Sequence, residues 1–320
     1  NAMPELPEVQ AHAERLSRPV ADGGFAGAVL SGFRPITFTA LKTAAPSPDM
    51  AIGTPLERVG RRGKLLLLRF APPGSFAGSD SGAESDSGAE SDSGAESDSD
   101  TGAGGEAVTF VVHLMQGGRL VPDDKQSAKP RNGIARWSFD DGTALLLTEA
   151  GNERKAGVWV VAGDPLVQSP LVDLGVDADV VTRDELAVAL GTKSTRLHTF
   201  LRDQHGIAGI GRMLANEICH RAKLSPFAST SKLPSDQIGA LHAAIRSCIG
   251  DALAFERGME RMSKSAERPG EVHHRKGQPC PVCGDEVRAV EYNAYEVDYC
   301  PTCQTGGKVL ADNTTSKFLK

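Results

Sequence analysis

The chain lacks any run of about 18 consecutive apolar residues, which is the length that a membrane-spanning helix needs. We therefore expect no membrane span. No charged and then apolar leader precedes the first structured segment, so we expect no signal peptide either. Asn1 and Ala2 resemble the remnant of a cleaved tag in front of an initiator Met3. The cysteine usage described next favours a reducing, cytoplasmic setting.

Cysteine is scarce, with 6 residues in 320. Cys219 and Cys248 stand alone in helical sequence, and we expect them to be buried apolar residues. The others form two C-x-x-C pairs with 16 residues between them: Cys280, Cys283, Cys300 and Cys303. Such pairs around a hairpin place four thiolates tetrahedrally, which predicts one structural Zn²⁺ rather than a disulfide framework. The alternative is a redox-active or metal-free set. His273 and His274 lie close upstream, and we interpret them as surface or DNA-facing residues.

Basic residues are absent from one segment. Ser79–Asp100 is a hexapeptide repeat with 8 acidic residues and no basic one. The full chain has 35 Lys+Arg against 41 Asp+Glu, so removing the repeat leaves 33 acidic residues and a net charge of +2. Residues 191–280 hold 14 basic against 8 acidic residues. A basic segment at 191–280 together with a separate acidic repeat is compatible with a polyanionic partner.

Strand-like sequence dominates the first half of the chain, and helical sequence dominates the second half. Residues 5–18 predict a helix, because Pro7 suits a first turn and apolar residues recur at i, i+4 and i+7. Strand-like runs follow at 64–70, 107–114, 134–139, 143–150 and 157–161, with a hairpin signal at 140–142. Helical patterns begin near residue 182, and the last 50 residues contain the cysteine pairs. The acidic repeat falls between the first two strand-like runs, as a disordered spacer or as a DNA-mimicking arm.

The opening sequence suggests amine chemistry. Pro4 follows Met3 and precedes Glu5. A proline exposed by removal of the methionine carries a secondary amine that can attack a sugar C1′ and form an iminium ion. Glu5 could then transfer protons. The simpler interpretation is a proline at a helix start beside a solvated glutamate.

Two further segments could contact phosphate. In "LRDQHGIAGIGRMLANEI" (201–218), Gly206, Gly209 and Gly211 allow close backbone approach, and a helix N-terminus follows. An ordinary helix-packing corner is the alternative. In "VGRRGKLLLL" (59–68), Lys64 enters a strand after a glycine turn. This lysine could neutralise a phosphate or assist elimination, or it could belong to a surface basic turn.

Taken together, these segments resemble the Fpg/Nei family of bacterial DNA glycosylases over the whole chain outside the acidic repeat. "PELPEV" is similar to the family's amino terminus, and "GRRGKLL" to its catalytic-lysine strand. "LRDQHGIAGIG" resembles its helix-two-turns-helix, and "CPVCG…YCPTCQ" its zinc finger. The resemblance implies an α+β multidomain protein: an N-terminal β-sandwich with a leading helix, then a helix-two-turns-helix domain with a zinc-finger β-hairpin. The implied boundaries are 1–3 (tag remnant and methionine), 4–163 (catalytic domain, with the insert at 76–106), 164–181 (linker), 182–270 and 271–320.

The resemblance also implies a function, namely excision of oxidised bases from DNA with β,δ-elimination at the resulting abasic site. Pro4 would be the Schiff-base nucleophile, Glu5 the proton-transfer partner and Lys64 the elimination residue. The residues implied to bind DNA are Arg61, His113, Arg119, Arg154, Lys155, Gly211, Arg212 and Tyr295. The expected partner is damaged double-stranded DNA, bound by a monomer in the bacterial cytoplasm at the nucleoid.

The chain departs from the family pattern where the lesion is read. Arg212 stands in place of an asparagine, and Tyr295 in place of the arginine of the zinc hairpin. His198 replaces a lysine before the helix-two-turns-helix. The family's phenylalanine wedge falls in "ERKAG" (153–157), where Ala156 cannot fill a gap. In "HLMQGGRL" (113–120), Met115 is displaced by one position and Gln116 takes its place.

These departures affect the choice of substrate more than the chemistry, and they favour abasic sites, single strands or easily opened lesions. Two non-enzymatic alternatives remain. One is a damaged-DNA or abasic-site binding protein that uses the same groove. The other is a regulatory zinc-finger protein with a sequence preference.

Overall fold

A computed structural model describes residues 3–74, 105–150, 154–292 and 295–310. The acidic repeat at 79–100 lies outside these ranges, so its predicted role as a spacer stays a prediction. The strands on either side of it pair directly with each other in antiparallel register, from Leu65 opposite His113 to Phe70 opposite Val108. The repeat therefore interrupts a β-hairpin, as its position in the sequence indicates.

The N-terminal region is built from two four-stranded sheets. Its strands are β1 (Leu30–Pro35), β2 (Leu56–Arg62), β3 (Leu65–Phe70), β4 (Val108–His113), β5 (Gly118–Pro122), β6 (Gly133–Phe139), β7 (Ala144–Glu149) and β8 (Gly157–Ala162). One sheet has the order β1-β6-β7-β5 and the other β2-β3-β4-β8. Every pairing within them is antiparallel. Short loops connect most sequential strands, which suits this arrangement.

One apolar core joins the two sheets. Phe33 of β1 and Trp137 of β6 meet Phe110 of β4, with ring centroids 5.2 and 5.8 Å from the Phe110 ring. Leu66 and Leu68 of β3 are fully buried in the same cluster. Because rings from both sheets interdigitate, the region is a β-sandwich, and the predicted fold class is confirmed.

The leading helix α1 (Leu6–Leu16) contributes to two cores. Val9, Ala13 and Leu16 pack into the sandwich, whereas Leu6 belongs to the core of the helical region. Arg15 Nη1 donates to the backbone carbonyl of Glu256 at 3.0 Å. The helix thus fixes the two regions relative to each other, and the N-terminus lies at their junction.

The helical region contains α2 (Arg183–Thr192), α3 (Leu197–Arg202), α4 (Arg212–Arg221) and α5 (Ser235–Arg257), with a two-stranded parallel pairing of β9 (Val176–Asp177) and β10 (Ile207–Ala208). By length and composition, α5 could cross a membrane, although the sequence showed no continuous apolar run. This is weak evidence, because core helices pass the same test. Leu241, Ile245 and Ile249 of α5 are buried in the core of this region.

The C-terminal module consists of an antiparallel hairpin, β11 (Arg288–Tyr292) and β12 (Tyr295–Tyr299), followed by α6 (Pro301–Thr305). Val290 and Val297 pair across the hairpin and are buried. Strands β1, β2 and β5 were not predicted. They have few apolar side chains pointing inward, and the burial of β1 changes from buried at Leu30 to exposed at Pro35.

Candidate active site and nucleic-acid interface

A cleft of about 890 Å³ lies between the sandwich, the helical region and the zinc hairpin. Its walls bring together residues from all three: Glu5, Lys64, His113, Gly211, Arg212 and Tyr295, with Met3 at the edge. Six of the predicted site residues therefore share one cavity. Pro4 is buried directly beside Glu5, and its nitrogen is bonded to Met3 in this chain.

Glu5 connects the two main regions at the floor of this cleft. Its carboxylate accepts backbone N–H bonds from Gly211 at 2.8 Å, Met213 at 3.0 Å and Leu214 at 3.1 Å. These are the free N–H groups of the first turn of α4, whose positive end interacts favourably with an anion. Glu5 is only 3% exposed, so the carboxylate is held in one place with an edge toward the cleft.

Two glycines make this contact possible. A Cβ on Gly211 would lie 2.4 Å from Glu5 Cδ, and a Cβ on Gly209 would lie 2.6 Å from Leu6 Cδ1. Gly209 also has a φ of +107° and accepts the Leu6 N–H at 2.9 Å through its carbonyl. The Gln204 side chain holds the intervening turn through bonds to the Gly209 N–H and the Ile210 carbonyl, both at 2.9 Å. The glycine-rich turn is thus shaped by its approach to α1.

Lys64 sits in the turn between β2 and β3, directly after Gly63, which has a φ of +56°. The side chain lines the cleft but is 8% exposed. Burial lowers the pKa of the Lys64 ammonium below its ordinary value, and the nearby Glu5 carboxylate partly opposes this shift. A lysine in this environment gives up a proton more readily than one on the surface.

Arg202 and Arg212 converge on the ring of Tyr295. Their guanidinium carbons lie 4.4 and 5.0 Å from the ring centroid, which is cation–π distance. The Tyr295 ring also stacks on Tyr292, with centroids 4.8 Å apart and an angle of 14°. The zinc hairpin therefore positions two cations on the wall of the cleft through an aromatic ring.

The segment after β4 forms another wall. Met115 adopts a left-handed φ of 50°, and its N–H donates to His113 Nδ1 at 3.0 Å. Met115 and Gln116 both line the cleft. Burial, together with the charge of Lys64, lowers the pKa of His113 to about 4, so this imidazole is neutral at physiological pH.

Arg61 and Arg119 lie away from the cleft lining. The Arg61 guanidinium is 6% exposed and forms ion pairs with Asp177 at 3.0 Å and Asp179 at 2.7 Å. It therefore links β2 to the start of the helical region. Arg119 donates to the backbone carbonyls of Gly118 at 2.8 Å and Ser263 at 3.0 Å.

Arg154 and Lys155 are exposed outside the cleft lining, and Glu153 falls outside the described residues. Arg154 has a left-handed φ of 43° and donates to Asn132 Oδ1 at 3.4 Å. Ala156 is fully buried, and its N–H donates to Glu149 at 2.6 Å. Ala156, predicted from the sequence to be unable to act as the family's phenylalanine wedge, is therefore part of the sandwich core.

The cysteine pairs form one compact cluster. The four Sγ atoms all lie within 4.8 Å of one another. Cys283 Sγ is 3.4 Å from Cys300 Sγ, and Cys280 Sγ is 3.9 Å from Cys303 Sγ. Four thiolates bound at about 2.3 Å to one tetrahedral ion would be roughly 3.8 Å apart. The cluster therefore fits a single structural Zn²⁺, as predicted. His220 Nε2 lies 3.3 Å from Cys280 Sγ and supports one thiolate.

Among the charged and aromatic residues in or next to the cleft, Arg202, Tyr292 and Glu8 were not predicted. Arg202 and Tyr292 line the cleft, and the position of Arg202 beside the glycine-rich turn is a signal that could have identified it. Glu8 is buried behind Glu5, where its carboxylate accepts the Glu5 N–H at 2.5 Å and faces Arg268 at 3.4 Å. Burial raises the pKa of Glu8 to about 7. No local pattern distinguishes Glu8 from other acidic residues in a first helical turn.

Family models match three consecutive parts of the chain. Residues 3–159 match the formamidopyrimidine-DNA glycosylase N-terminal domain, and residues 174–264 match the formamidopyrimidine-DNA glycosylase H2TH domain. Residues 277–306 match the zinc finger found in FPG and IleRS. Together they cover the sandwich, the helical region and the cysteine cluster in the order predicted.

Relatives and solved structures agree with these matches. An uncharacterized formamidopyrimidine-DNA glycosylase-like protein of Mycobacterium tuberculosis is 48% identical over 149 residues, which are 46% of this chain and 94% of that protein. The formamidopyrimidine-DNA glycosylase of Pelotomaculum thermopropionicum is 26% identical over 319 residues, or 94% of this chain and 99% of that protein. The Lactococcus lactis enzyme bound non-covalently to DNA with an AP site has a TM-score of 0.72 at 18% identity, covering 94% of this chain and 99% of that chain. MutM of Thermus thermophilus has a TM-score of 0.70 at 24% identity, covering 96% and 100%.

Proposed function

The chain belongs to the formamidopyrimidine-DNA glycosylase family, and from this membership we propose that it is a DNA glycosylase of base-excision repair that also cleaves the strand at the abasic site. The observation that carries the proposal is the junction at Glu5, which brings Glu5, Lys64 and the first turn of α4 into one cleft, with the buried Pro4 directly before Glu5 in the chain. Its substrate is damaged DNA, bound by a monomer.

Pro4 supplies the nucleophile once the residues before it are removed. The freed secondary amine attacks C1′ of the damaged nucleoside and displaces the base, and opening of the C1′–O4′ bond with protonation of O4′ then leaves an iminium ion between Pro4 and the sugar. The positive iminium acts as an electron sink, so a proton at C2′ becomes acidic and the strand can break by elimination.

Glu5 and Lys64 move protons on either side of the nucleophile. The Glu5 carboxylate is fixed by three N–H donors, which supports a role in protonating the opening sugar and then accepting a proton. The lowered pKa of Lys64 supports a role in elimination, and its charged form can neutralise a phosphate next to the lesion. Arg202 and Arg212 add positive charge to the same wall.

The residues on the wall of the cleft favour lesions whose base pairs open easily. A nucleotide that is flipped out of the duplex leaves a gap that must be filled. The free-energy cost of flipping falls when the base pair is already damaged or absent. Here Met115 and Gln116 reach the cleft, whereas Ala156 is buried and cannot fill a gap. We therefore place abasic sites and unpaired lesions ahead of lesions in stable pairs.

The decisive experiment uses a chain that begins at Pro4 and a panel of oxidised-base, abasic and undamaged oligonucleotides, both duplex and single-stranded. We expect base release from at least one lesion and strand cleavage at abasic sites, with phosphate at both ends of the gap as β,δ-elimination produces. Glu5→Gln should bind the same DNA and release base much more slowly. Binding without base release or cleavage on any substrate would instead identify a damaged-DNA binding protein on this fold.

A further inference from the structure

Two adjacent imidazoles lie beside a buried carboxylate on the wall of the cleft. His273, His274 and Asp298 each place one ligand atom within 4.8 Å of the others. His273 Nδ1 is 3.3 Å from Asp298 Oδ2, and the two histidine rings have centroids 3.9 Å apart. Both histidines line the cleft, and this cluster shares no residue with the four cysteines.

The carboxylate at the centre of the cluster has an unused oxygen. Asp298 is fully buried, and its Oδ2 accepts from the Asn216 amide at 2.9 Å and from the His274 N–H at 3.0 Å. Asp298 Oδ1 and Asn216 Oδ1 have no hydrogen-bond partner among the described residues. Buried acceptors without donors are uncommon and costly. A cation bound beside them would supply the missing interaction.

The loop that carries the imidazoles is held through its backbone as well as through the His273 side chain, whose Nδ1 lies 3.0 Å from the Asn216 amide nitrogen. The Glu217 carboxylate already accepts the backbone N–H groups of Glu271 at 2.8 Å, Val272 at 3.1 Å and His273 at 2.8 Å. His274 adopts a left-handed φ of 57°, which a non-glycine residue rarely does. Its side chain is 61% exposed and contacts Glu296 Oε1 at 3.1 Å, so an ion can reach it from the cleft.

We propose that His273, His274 and Asp298 form a second metal site, for a divalent ion such as Zn²⁺, Ni²⁺ or Co²⁺. Two imidazoles and one carboxylate suit these ions, whereas Mg²⁺ and Ca²⁺ prefer oxygen donors alone. Two ligand atoms on a tetrahedral ion with bonds of about 2.0–2.1 Å lie roughly 3.4 Å apart. His273 Nδ1 lies 3.3 Å from Asp298 Oδ2, close to that spacing, and an ion bound there would replace the Asn216 amide at His273 Nδ1 while Asp298 Oδ1 supplies a further acceptor. An ion held there would add positive charge to the wall that carries Arg212 and Tyr295.

The test uses the full chain with its cysteine site loaded with one Zn²⁺. Co²⁺ or Ni²⁺ is titrated into it by calorimetry, and cobalt binding is also followed by visible absorption. We expect one additional equivalent, with ligand-field bands and without the charge-transfer band that thiolate ligation produces. His274→Gly removes one imidazole and suits the left-handed backbone, so it should weaken this binding by about tenfold or more.

Lys223→Gly is the matched control, because Lys223 is exposed and also left-handed, with a φ of 54°. The Lys223→Gly variant should still bind the additional equivalent of Co²⁺ or Ni²⁺. Circular dichroism checks the fold of each variant, and His274→Asn replaces the glycine variant if that one fails to fold, because asparagine also tolerates this backbone. The proposal is overturned if the additional equivalent is missing at metal concentrations on the order of 1 mM. It is equally overturned if binding persists undiminished in both His274 variants, or if the thiolate band shows that the metal has entered the cysteine cluster.

Discussion

The Gly211 N–H donates to the Glu5 carboxylate at 2.8 Å, although the two residues are 206 positions apart in the sequence. One hydrogen bond thus joins the leading helix of the sandwich to the first turn of α4. The absence of a side chain at Gly211 is what permits this approach. The position of Glu5, the residue next to the proposed nucleophile Pro4, therefore depends on how the helical region packs against the sandwich.

We expect Gly211→Ala to reduce base release and strand cleavage by at least about tenfold. Its Cβ would fall 2.4 Å from Glu5 Cδ, so the carboxylate must move, and small displacements of a catalytic group are costly. Gly250→Ala in α5 is the control, because a Cβ there meets no atom within 4 Å. Base release is measured on a duplex with a lesion that the unchanged protein excises, and strand cleavage on the abasic duplex, both at matched folded fractions. Equal activity in the two variants would show that the position of Glu5 is not critical.

We expect covalent trapping at Pro4 only when the residues before it are removed. In the chain as its sequence stands, the Pro4 nitrogen is bonded to Met3. An amide nitrogen has no available lone pair, so no Schiff base can form there. Borohydride reduction on abasic-site DNA, followed by peptide mass spectrometry, compares a chain that begins at Pro4 with one that retains residues 1–3. Both chains should bind the DNA. An adduct mapped to Pro4 in the longer chain would refute this prediction.

We expect Tyr295→Leu to weaken DNA binding, whereas Tyr295→Phe should leave it nearly unchanged. The ring face holds Arg202 and Arg212 at 4.4 and 5.0 Å, and each cation–π contact contributes about 0.5–2 kcal/mol. Loss of the ring should therefore raise the Kd roughly 2- to 30-fold. Fluorescence anisotropy with a duplex that carries an abasic analogue measures this change at fixed salt. A large loss in the phenylalanine variant would indicate that the hydroxyl is the important group.

We expect Glu8→Gln to change how stability depends on pH. Burial raises the pKa of Glu8 from 4.5 to about 7, so the folded protein binds this proton more tightly than the unfolded chain does. This contribution to stability is fully present below pH 4.5 and is lost as the pH rises through about 7. The variant should therefore show a smaller decline in unfolding free energy across that window in urea titrations. Glu260→Gln, at an exposed position, should retain the wild-type profile.

Much of the fold and of the site can be predicted from the sequence, because many of the patterns that specify them span only a few residues. The cysteine pairs, the glycine turn before Lys64 and the periodicity of α1 each lie within a few residues, and the structure contains all three. Other features depend on distant partners. Arg61 appears as a basic turn residue in the sequence, but Asp177 and Asp179 hold it in ion pairs far along the chain. The cluster of His273, His274 and Asp298 likewise forms only when the hairpin folds back onto its preceding loop.

We expect deletion of residues 75–104 to leave the fold intact. The strands on either side of the deletion are fully paired, and a Cβ on Gly105 would lie 3.1 Å from Pro73 Cδ, so a short turn can join these ends. The deletion also removes the 8 acidic residues of the repeat. Binding to DNA should therefore tighten at low salt, and the difference should shrink as salt screens the charges. Urea unfolding and anisotropy at two salt concentrations test both parts. Loss of cooperative unfolding would show that the repeat is part of the folded domain, and unchanged affinity at low salt would place its charge too far from the cleft to influence DNA.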